Sequence, residues 1–451
     1  MDITWHLNDP PLNPHSWYSW STEELLSIVR TSDNDQLTSV LLRAFAQGLS
    51  RRDGWQIDRL PPEFIPLMIA AAAMYKRGVA ISNRPGQGRQ GHYQVLLANH
   101  MAHRSDYLPP TKDCFFVLDQ QVADLYPSWG AHADLLQLAA ETEKNLDTVR
   151  HMASKIAKGH SKQQIVIVGG GMLTDSAAFA AHLLKRPFIL VPTTLLAMVD
   201  ACVGGKTGVN FPPYGKNQLG AFAFPETVVI FPQFLKTLPL RELRSGGAEC
   251  LKHAFLTHQL SLIETTASFI QEERREDWAE LLPQLLAVKA QIIEKDTGEQ
   301  GVRAYLNLGH TLAHGLEALS QQRKGNDEGG IISHGEAVGI GLAFALQLSS
   351  SLGALSPATA HAYQTALERS GCLITHEQLA HYLGCSLADK DLWPSLLRIL
   401  THDKKNTSAN GQLSWVILQH PGAEPARVVS LTASYVEEQW REILRRLNKD
   451  F

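Results

Sequence analysis

The chain has 451 residues, of which 44% are hydrophobic and 19% charged, and a formal net charge of −4. That length allows two or three domains with a large buried core, and a slight acidic excess with no Lys/Arg block excludes an electrostatic footprint for nucleic acid. Five cysteines without a CxxC pair argue against a disulfide framework and for reduced thiols in the cytoplasm.

In chain order, the N-terminus (Met1 to Asp9) is acidic and lacks the basic-then-apolar signature of a secretory signal. The most apolar stretch of the chain, around Ile65–Met74, falls well short of the roughly 20 residues that span a bilayer. Residues 1–90 read as an extra, separate helical segment, with helical patterns over Thr22–Arg30, Leu37–Leu49 and Glu63–Tyr75. The breaker cluster Asn83-Arg84-Pro85-Gly86-Gln87-Gly88 reads as a linker. No chemical constellation falls in this segment, so packing or partner binding is its expected role. From residue 91 to 239, short apolar runs at Tyr93–Ala98, Cys114–Leu118, Ile165–Val168 and Phe188–Val191 alternate with helical patterns. The alternation predicts an α/β domain with a parallel sheet between helices. Over 240–451 helical patterns dominate, with Leu413–Leu418 as the exception, so a mostly α-helical C-terminal domain is expected.

Ile165-Val166-Ile167-Val168 runs into Gly169-Gly170-Gly171, and a helical pattern follows from about Asp175. A strand, a glycine turn and a helix start can cradle a pyrophosphate on backbone N–H groups and the helix dipole. The same three glycines also fit an ordinary tight turn, and the GxGxxG spacing is absent. The next strand ends in Pro192-Thr193-Thr194, which places two hydroxyls at the same sheet edge. Downstream, Asp200 to Gly208 and Gly215-Lys216-Asn217 place Lys206 and Lys216 beside glycines. Such a lysine loop suits an anion, with a solvated surface loop as the plain alternative.

Glu249, Lys252 and His253 lie at i, i+3 and i+4 of one predicted helix and share a face. Arg303, Asn307, His310 and His314 are spaced 4, 3 and 4 apart, which on one helix confines them to roughly a 60° arc. Leu306, Leu308, Leu312 and Ala313 beside them argue for burial of this polar stripe, and buried polar groups need ligands or partners. His334-Gly335-Glu336 follows a glycine-rich loop, and Ser333 to Glu336 matches a capping box. Glu249 with two histidines would give the carboxylate and two imidazoles of an open zinc-type site. Spacing alone also nominates the His310/His314 pair, and geometry leaves both sets open.

These strings resemble the 3-dehydroquinate synthase family of sugar-phosphate cyclases. The resemblance is carried by Gly169-Gly170-Gly171-x3-Asp175, Val191-Pro192-Thr193-Thr194-Leu195-Leu196-Ala197-x2-Asp200, Val203-Gly204-Gly205-Lys206-Thr207-Gly208 and Gly215-Lys216-Asn217-x2-Gly220-Ala221-Phe222. It continues through Leu235-Lys236-Thr237-Leu238-Pro239-x-Arg241-Glu242, Ala248-Glu249-x2-Lys252, Leu306-Asn307-Leu308-Gly309-His310-Thr311-x2-His314 and His334-Gly335-Glu336-Ala337-Val338. It covers roughly residues 91–451 in the family's order.

The resemblance implies an α/β NAD-binding domain followed by a helical metal-binding domain, and a homodimer. It implies a metal, zinc or cobalt, on Glu249, His310 and His334, with His314 in the catalytic pocket. NAD is expected against Asp119, Glu141, Lys144, Gly170, Gly171, Asp175, Thr193 and Thr194, with Asp200, Lys206, Lys216, Thr237, Leu238 and Glu242 around it. Asp200, Lys206, Asn217, Lys252, Lys289, Arg303, Asn307, His314 and Lys404 are expected at the substrate, with Lys206, Lys252, Arg303, Asn307 and His314 catalytic. The implied reaction is 3-deoxy-D-arabino-heptulosonate 7-phosphate to 3-dehydroquinate and phosphate, in the shikimate pathway to aromatic amino acids. Sister cyclases on other sugar phosphates are the alternative, and iron-type alcohol or glycerol dehydrogenases a more distant one. A scaffold that has lost activity is a third reading, against which every expected ligand is present. Lys185-Arg186-Pro187 stands where the family carries Arg-Gly, which puts that arginine's contact to a neighbouring subunit in question.

Overall fold

The structure is a computed structural model that describes residues 55–56, 79–83, 93–98, 101–130, 134–136, 143–160, 162–211, 215–296, 301–324, 330–402 and 412–448. The three N-terminal helical patterns and residues 84–88 of the expected linker lie outside the described residues.

Strands β1 (Trp55–Gln56), β2 (Val79–Asn83), β3 (Tyr93–Leu97), β4 (Cys114–Asp119), β5 (Asp134–Leu136), β6 (Gln164–Gly169) and β7 (Phe188–Pro192) precede a hairpin of β8 (Lys206–Phe211) and β9 (Gly215–Phe222), and β10 (Thr227–Ile230) follows. Eight of them form one sheet in the order β1-β2-β3-β10-β7-β6-β4-β5. Its pairs are parallel except β2 with β3. The expected parallel α/β layer is therefore present, and two pieces of the segment read as separate add outer strands to it. Ile165 to Val168 are 0% exposed, as in a sheet covered on both faces.

Among the helices, α1 (Gln120–Leu125), α2 (Pro127–Gly130), α3 (Leu146–Lys158) and α4 (Gly171–Leu183) belong to this half. Then α5 (Leu240–Phe255), α6 (Leu260–Gln271), α7 (Trp278–Lys295), α8 (His310–Lys324), α9 (His334–Ser351), α10 (Pro357–Arg369), α11 (His376–Leu383), α12 (Leu392–His402) and α13 (Ala433–Leu447) build the second half. The antiparallel pair β11 (Leu413–Leu418) and β12 (Ala426–Leu431) interrupts the helices. Helix α9 packs on both α5 and α8 and is buried almost all round, as an apolar central helix must be. Among the described residues no helix is long and apolar enough to cross a membrane.

One expected element is corrected. Arg303, Asn307, His310 and His314 do not share a helix: Arg303 and Asn307 lie on a 3-10 turn, Val302–Asn307, and α8 begins at His310. Gly309 separates them with φ +78°, and a Cβ there would meet the Gly341 carbonyl carbon at 2.9 Å. A left-handed residue against another backbone ends the helical path. Burial also divides the stripe, since Arg303 and His310 are enclosed while Asn307 and His314 are exposed.

Candidate active site

The chain leaves β4 for β5 on one side and returns to β6 on the other, so the crevice between β4 and β6 is the switch point where open α/β sheets bind ligands. Leu118 pairs with Val168 and Gly169 with Pro192. Asp119, the glycine turn and Thr193-Thr194 thus leave the sheet side by side. Gly170 is the N-cap of α4 and no side chain caps that end, which leaves the first-turn N–H groups available to an anion. A Cβ on Gly170 would stand 3.1 Å from Thr194 Cγ2, so bare backbone keeps the cradle open. These features fit a dinucleotide.

Asp119 has a structural duty here, accepting the Gln121 and Val122 N–H groups as N-cap of α1. Burial raises its carboxyl, partly offset by those two bonds. Lys144 donates to Asp175 at 2.7 Å and to Asn217 at 2.8 Å, joining three expected site residues into one chain. Thr237 Oγ1 lies 3.0 Å from the Tyr126 hydroxyl, Leu238 is buried, and Glu242 lies in the first turn of α5. Burial raises the Glu242 carboxyl, with Arg241 opposing. Glu141 and Lys404 lie outside the described residues, as does the side chain of Lys216, which sits on β9. Lys206 and Lys216, read as loop residues, belong to the β8–β9 hairpin.

Beyond the threonines a π-helical turn, Ala197–Ala201, carries Asp200. Its Oδ1 lies 2.8 Å from Lys289 Nζ, 3.5 Å from Lys252 Nζ and 3.5 Å from His253 Nε2. Burial opposes ionisation of Asp200, but Lys252 and Lys289 hold it well below the usual carboxylate range. Lys252, pulled down by burial and raised by Asp200 and Glu249, ends above its ordinary value. The expected shared face of Glu249, Lys252 and His253 is therefore real, and it is buried.

Glu249 is 0% exposed and pairs with Lys252. On its other side, Oε1 lies 3.0 Å from His334 Nε2 and 3.3 Å from His310 Nε2. The ligand atoms of Glu249, His310 and His334 all lie within 4.8 Å of one another. Lys252 occupies Glu249 Oε2, so Oε1, which both imidazole Nε2 atoms face, is the oxygen this carboxylate offers a cation. Burial would raise the Glu249 carboxyl, yet Lys252 and His310 hold it well below the usual range. Burial works against a charged His334, but Glu317 and Glu249 push it up to about 10, so a metal must displace a proton there. One carboxylate and two imidazoles suit zinc or a similar ion with positions left open. Asp200, Glu249 and His253 also cluster, but two ammonium groups at Asp200 repel a cation. The His310/His314 alternative is not favoured: His314 is outside these groups, its ring centroid 5.5 Å from His310.

Arg303 is 3% exposed; its Nη2 donates to Gly204 O at 3.2 Å and its guanidinium stands 5.5 Å over the Phe222 ring. Lys206, Asn217, Asn307 and His314 are exposed. Asn217 adopts φ +51°. Arg186, in the departure noted above, donates to the backbone oxygens of His160 and Gln163 at 3.0 and 2.7 Å, so it is engaged within its own chain. Sequence reading missed Glu317, a buried carboxylate facing His334; its only signal was an acid three residues past His314 among leucines.

Comparison with known proteins decides between fold and family. The models described as 3-dehydroquinate synthase N-terminal and C-terminal match residues 135–245 and 246–406. A 3-dehydroquinate synthase of Legionella pneumophila is 37% identical over 329 residues, 69% of this chain and 83% of that one. The chain belongs to the 3-dehydroquinate synthase family. A second family member, from Acinetobacter baylyi, is 36% identical over 73% of this chain and 84% of its own. Among solved structures, a 2-epi-5-epi-valiolone synthase from Streptomyces hygroscopicus with NAD+ and Zn2+ bound has TM-score 0.61 at 24% identity, covering 80% of this chain and 99% of that one. A 2-deoxy-scyllo-inosose synthase complexed with carbaglucose-6-phosphate, NAD+ and Co2+ has TM-score 0.64 at 19% identity, with coverages of 81% and 99%. Both share the dehydroquinate synthase fold.

Proposed function

We propose that this protein is an NAD- and metal-dependent lyase that converts 3-deoxy-D-arabino-heptulosonate 7-phosphate to 3-dehydroquinate and phosphate, in the shikimate pathway. The observation that carries the reading is the continuity from Glu249, with its two imidazoles, through Lys252 to Asp200 and Lys289. A metal site and a buried substrate-orienting charge cluster are one unit. In this reading residues 91–239, extended by β1 and β2, form the NAD half, and residues 240–451 the metal and substrate half.

Glu249, His310 and His334 would hold the metal. Asp119, Glu141, Lys144, Gly170, Gly171, Asp175, Thr193 and Thr194 would hold NAD, with Asp200, Lys206, Lys216, Thr237, Leu238 and Glu242 beside it. When bound, NAD would accept and return a hydride while zinc or cobalt withdrew electron density from the neighbouring oxygen. Lys252, kept charged by Asp200 and Glu249, would donate to the substrate hydroxyls, and Lys289 would fix Asp200 in line with them. Arg303 offers a planar fork for the substrate carboxylate, with Lys404 as a second cation. The exposed group of Lys206, Asn217, Asn307 and His314 would take the departing phosphate, their donors stabilising the charge that develops on it. In this scheme the phosphate itself removes the proton beside the ketone as it leaves. A homodimer in the cytoplasm is the proposed form.

Phosphate release from that substrate by the full chain, with NAD+ and Zn2+ or Co2+ supplied or withheld, tests the proposal. Release requiring both is expected. No release from protein that holds both would refute the substrate and favour a sister cyclase reaction.

A further inference from the structure

The geometry points to Glu317 as the positioning residue for the metal site: its carboxylate accepts the Nδ1–H of His334 and so leaves Nε2 free to ligate. This assignment rests on the metal reading above and concerns how the ligand is held.

Glu317 is 3% exposed, and its Oε2 lies 3.5 Å from His334 Nδ1. On the same ring Nε2 lies 3.0 Å from Glu249 Oε1. His310 repeats the arrangement with a different acceptor, its Nδ1 3.1 Å from Leu308 O and its Nε2 3.3 Å from Glu249 Oε1. Both imidazoles thus turn Nδ1 toward an acceptor and Nε2 toward one shared carboxylate oxygen. A neutral imidazole has one N–H and one lone pair, and the acceptor at Nδ1 decides which nitrogen has which.

The two acceptors are not equivalent. A main-chain carbonyl fixes a ring, whereas a carboxylate also makes the imidazole a more basic ligand. A seven-residue step returns to the same side of a helix, so α8 presents His310 and Glu317 on one face, two turns apart. His334, the first residue of α9, meets both the Glu249 and the Glu317 carboxylates. One helix therefore supplies a ligand and the orienting group of another. An enclosed carboxylate is costly unless it is paired, and His334 is its partner here. A purely structural ion pair between α8 and α9 would account for the burial too, but it would not alter how tightly a metal is held.

The test uses the full chain stripped by chelator, with Co2+ or Zn2+ alone as probe. Affinity is read by competition with a chromogenic chelator, and ligand geometry by the visible absorption of Co2+. Glu317→Ala is expected to weaken binding about 10–100-fold and to shift the cobalt band. Glu317→Gln keeps an uncharged acceptor oxygen and is expected to recover most of that loss while staying several-fold below wild type. The thermal midpoint of each metal-free protein reports folding separately. Wild-type affinity and an unchanged cobalt spectrum in Glu317→Ala would overturn the assignment. If that variant does not fold, parity of Glu317→Gln with wild type overturns it. Wild-type protein that binds neither ion would refute the metal reading itself, and the assignment with it.

Discussion

Replacing Asp200 by asparagine preserves shape and removes one charge from the buried cluster. Its Oδ1 lies 2.8 Å from Lys289 Nζ and 3.5 Å from Lys252 Nζ, and those lysines are 7% and 1% exposed. Without Asp200, Lys252 keeps Glu249 as its partner, while Lys289 loses the carboxylate it contacts. Removing one partner of a buried pair costs about 3–5 kcal/mol. Asp200 keeps 24% of its side-chain surface exposed, which places the expected loss at the low end, about 3 kcal/mol. Lys289 gives the loss a pH signature. Burial lowers its ammonium below the ordinary value, with Asp200 drawing it back, so the substitution lowers it further. The unfolded chain, with a lysine value of about 10.4, then binds more protons than the folded one. Stability rises with pH in that case; it is full above the unfolded value and lost as pH falls through the folded one. The deficit of Asp200→Asn is therefore largest near neutrality and narrows toward about pH 10. Urea unfolding of the metal-free and NAD-free proteins, followed by far-UV circular dichroism across that range, measures it. A deficit below about 1 kcal/mol, or one that stays flat with pH, would refute the reasoning.

Three further outcomes follow from other parts of the site. Glu249→Gln and His310→Ala should lose retained metal, counted by elemental analysis after dialysis, by more than the about 10–100-fold expected for an outer partner; His314→Ala should retain its metal and lose phosphate release. Gly309→Ala, strained at φ +78° against Gly341, is expected to lose about 1–3 kcal/mol, and an unchanged thermal midpoint would contradict that. Glu336→Gln keeps the helix cap but loses its paired charge with Arg241, now at 2.9 and 2.8 Å. Burial raises the Glu336 carboxyl, but Arg241 brings it below its ordinary value, so its contribution is present above about 4.3 and lost as pH falls through the folded value. With Arg241 40% exposed, about 1 kcal/mol is expected; a thermal-midpoint gap that does not close in acid would count against it.

Much of the architecture was legible because buried parallel strands announce themselves. The runs at Ile165–Val168 and Phe188–Val191 lie within β6 and β7, and Ser333 to Glu336 forms its capping box. The β8–β9 hairpin was not legible, since its glycines and lysines carry no apolar alternation and it leaves Lys206 exposed. Periodicity also failed at residue 309. It counts residues and does not register a left-handed glycine, so it merged a 3-10 turn with α8 into one stripe. For the candidate metal ligands, spacing alone nominated His310 with His314, because periodicity compares positions on one helix. Glu249, His310 and His334 come from three helices; residue types suggested a carboxylate with two imidazoles, and the resemblance chose which two. Glu317 escaped because the residue it faces, His334, is seventeen positions further along the sequence and on another helix.

The most direct measurement follows the fate of the sugar phosphate by NMR, with NAD+ supplied far below the substrate and metal present. A cyclase of this kind makes dehydroquinate and phosphate in equal amounts, over many turnovers per NAD+, with no net rise in NADH absorbance. NADH accumulating in step with an oxidised sugar phosphate, without phosphate release, would contradict it and make the protein a dehydrogenase on a cyclase fold.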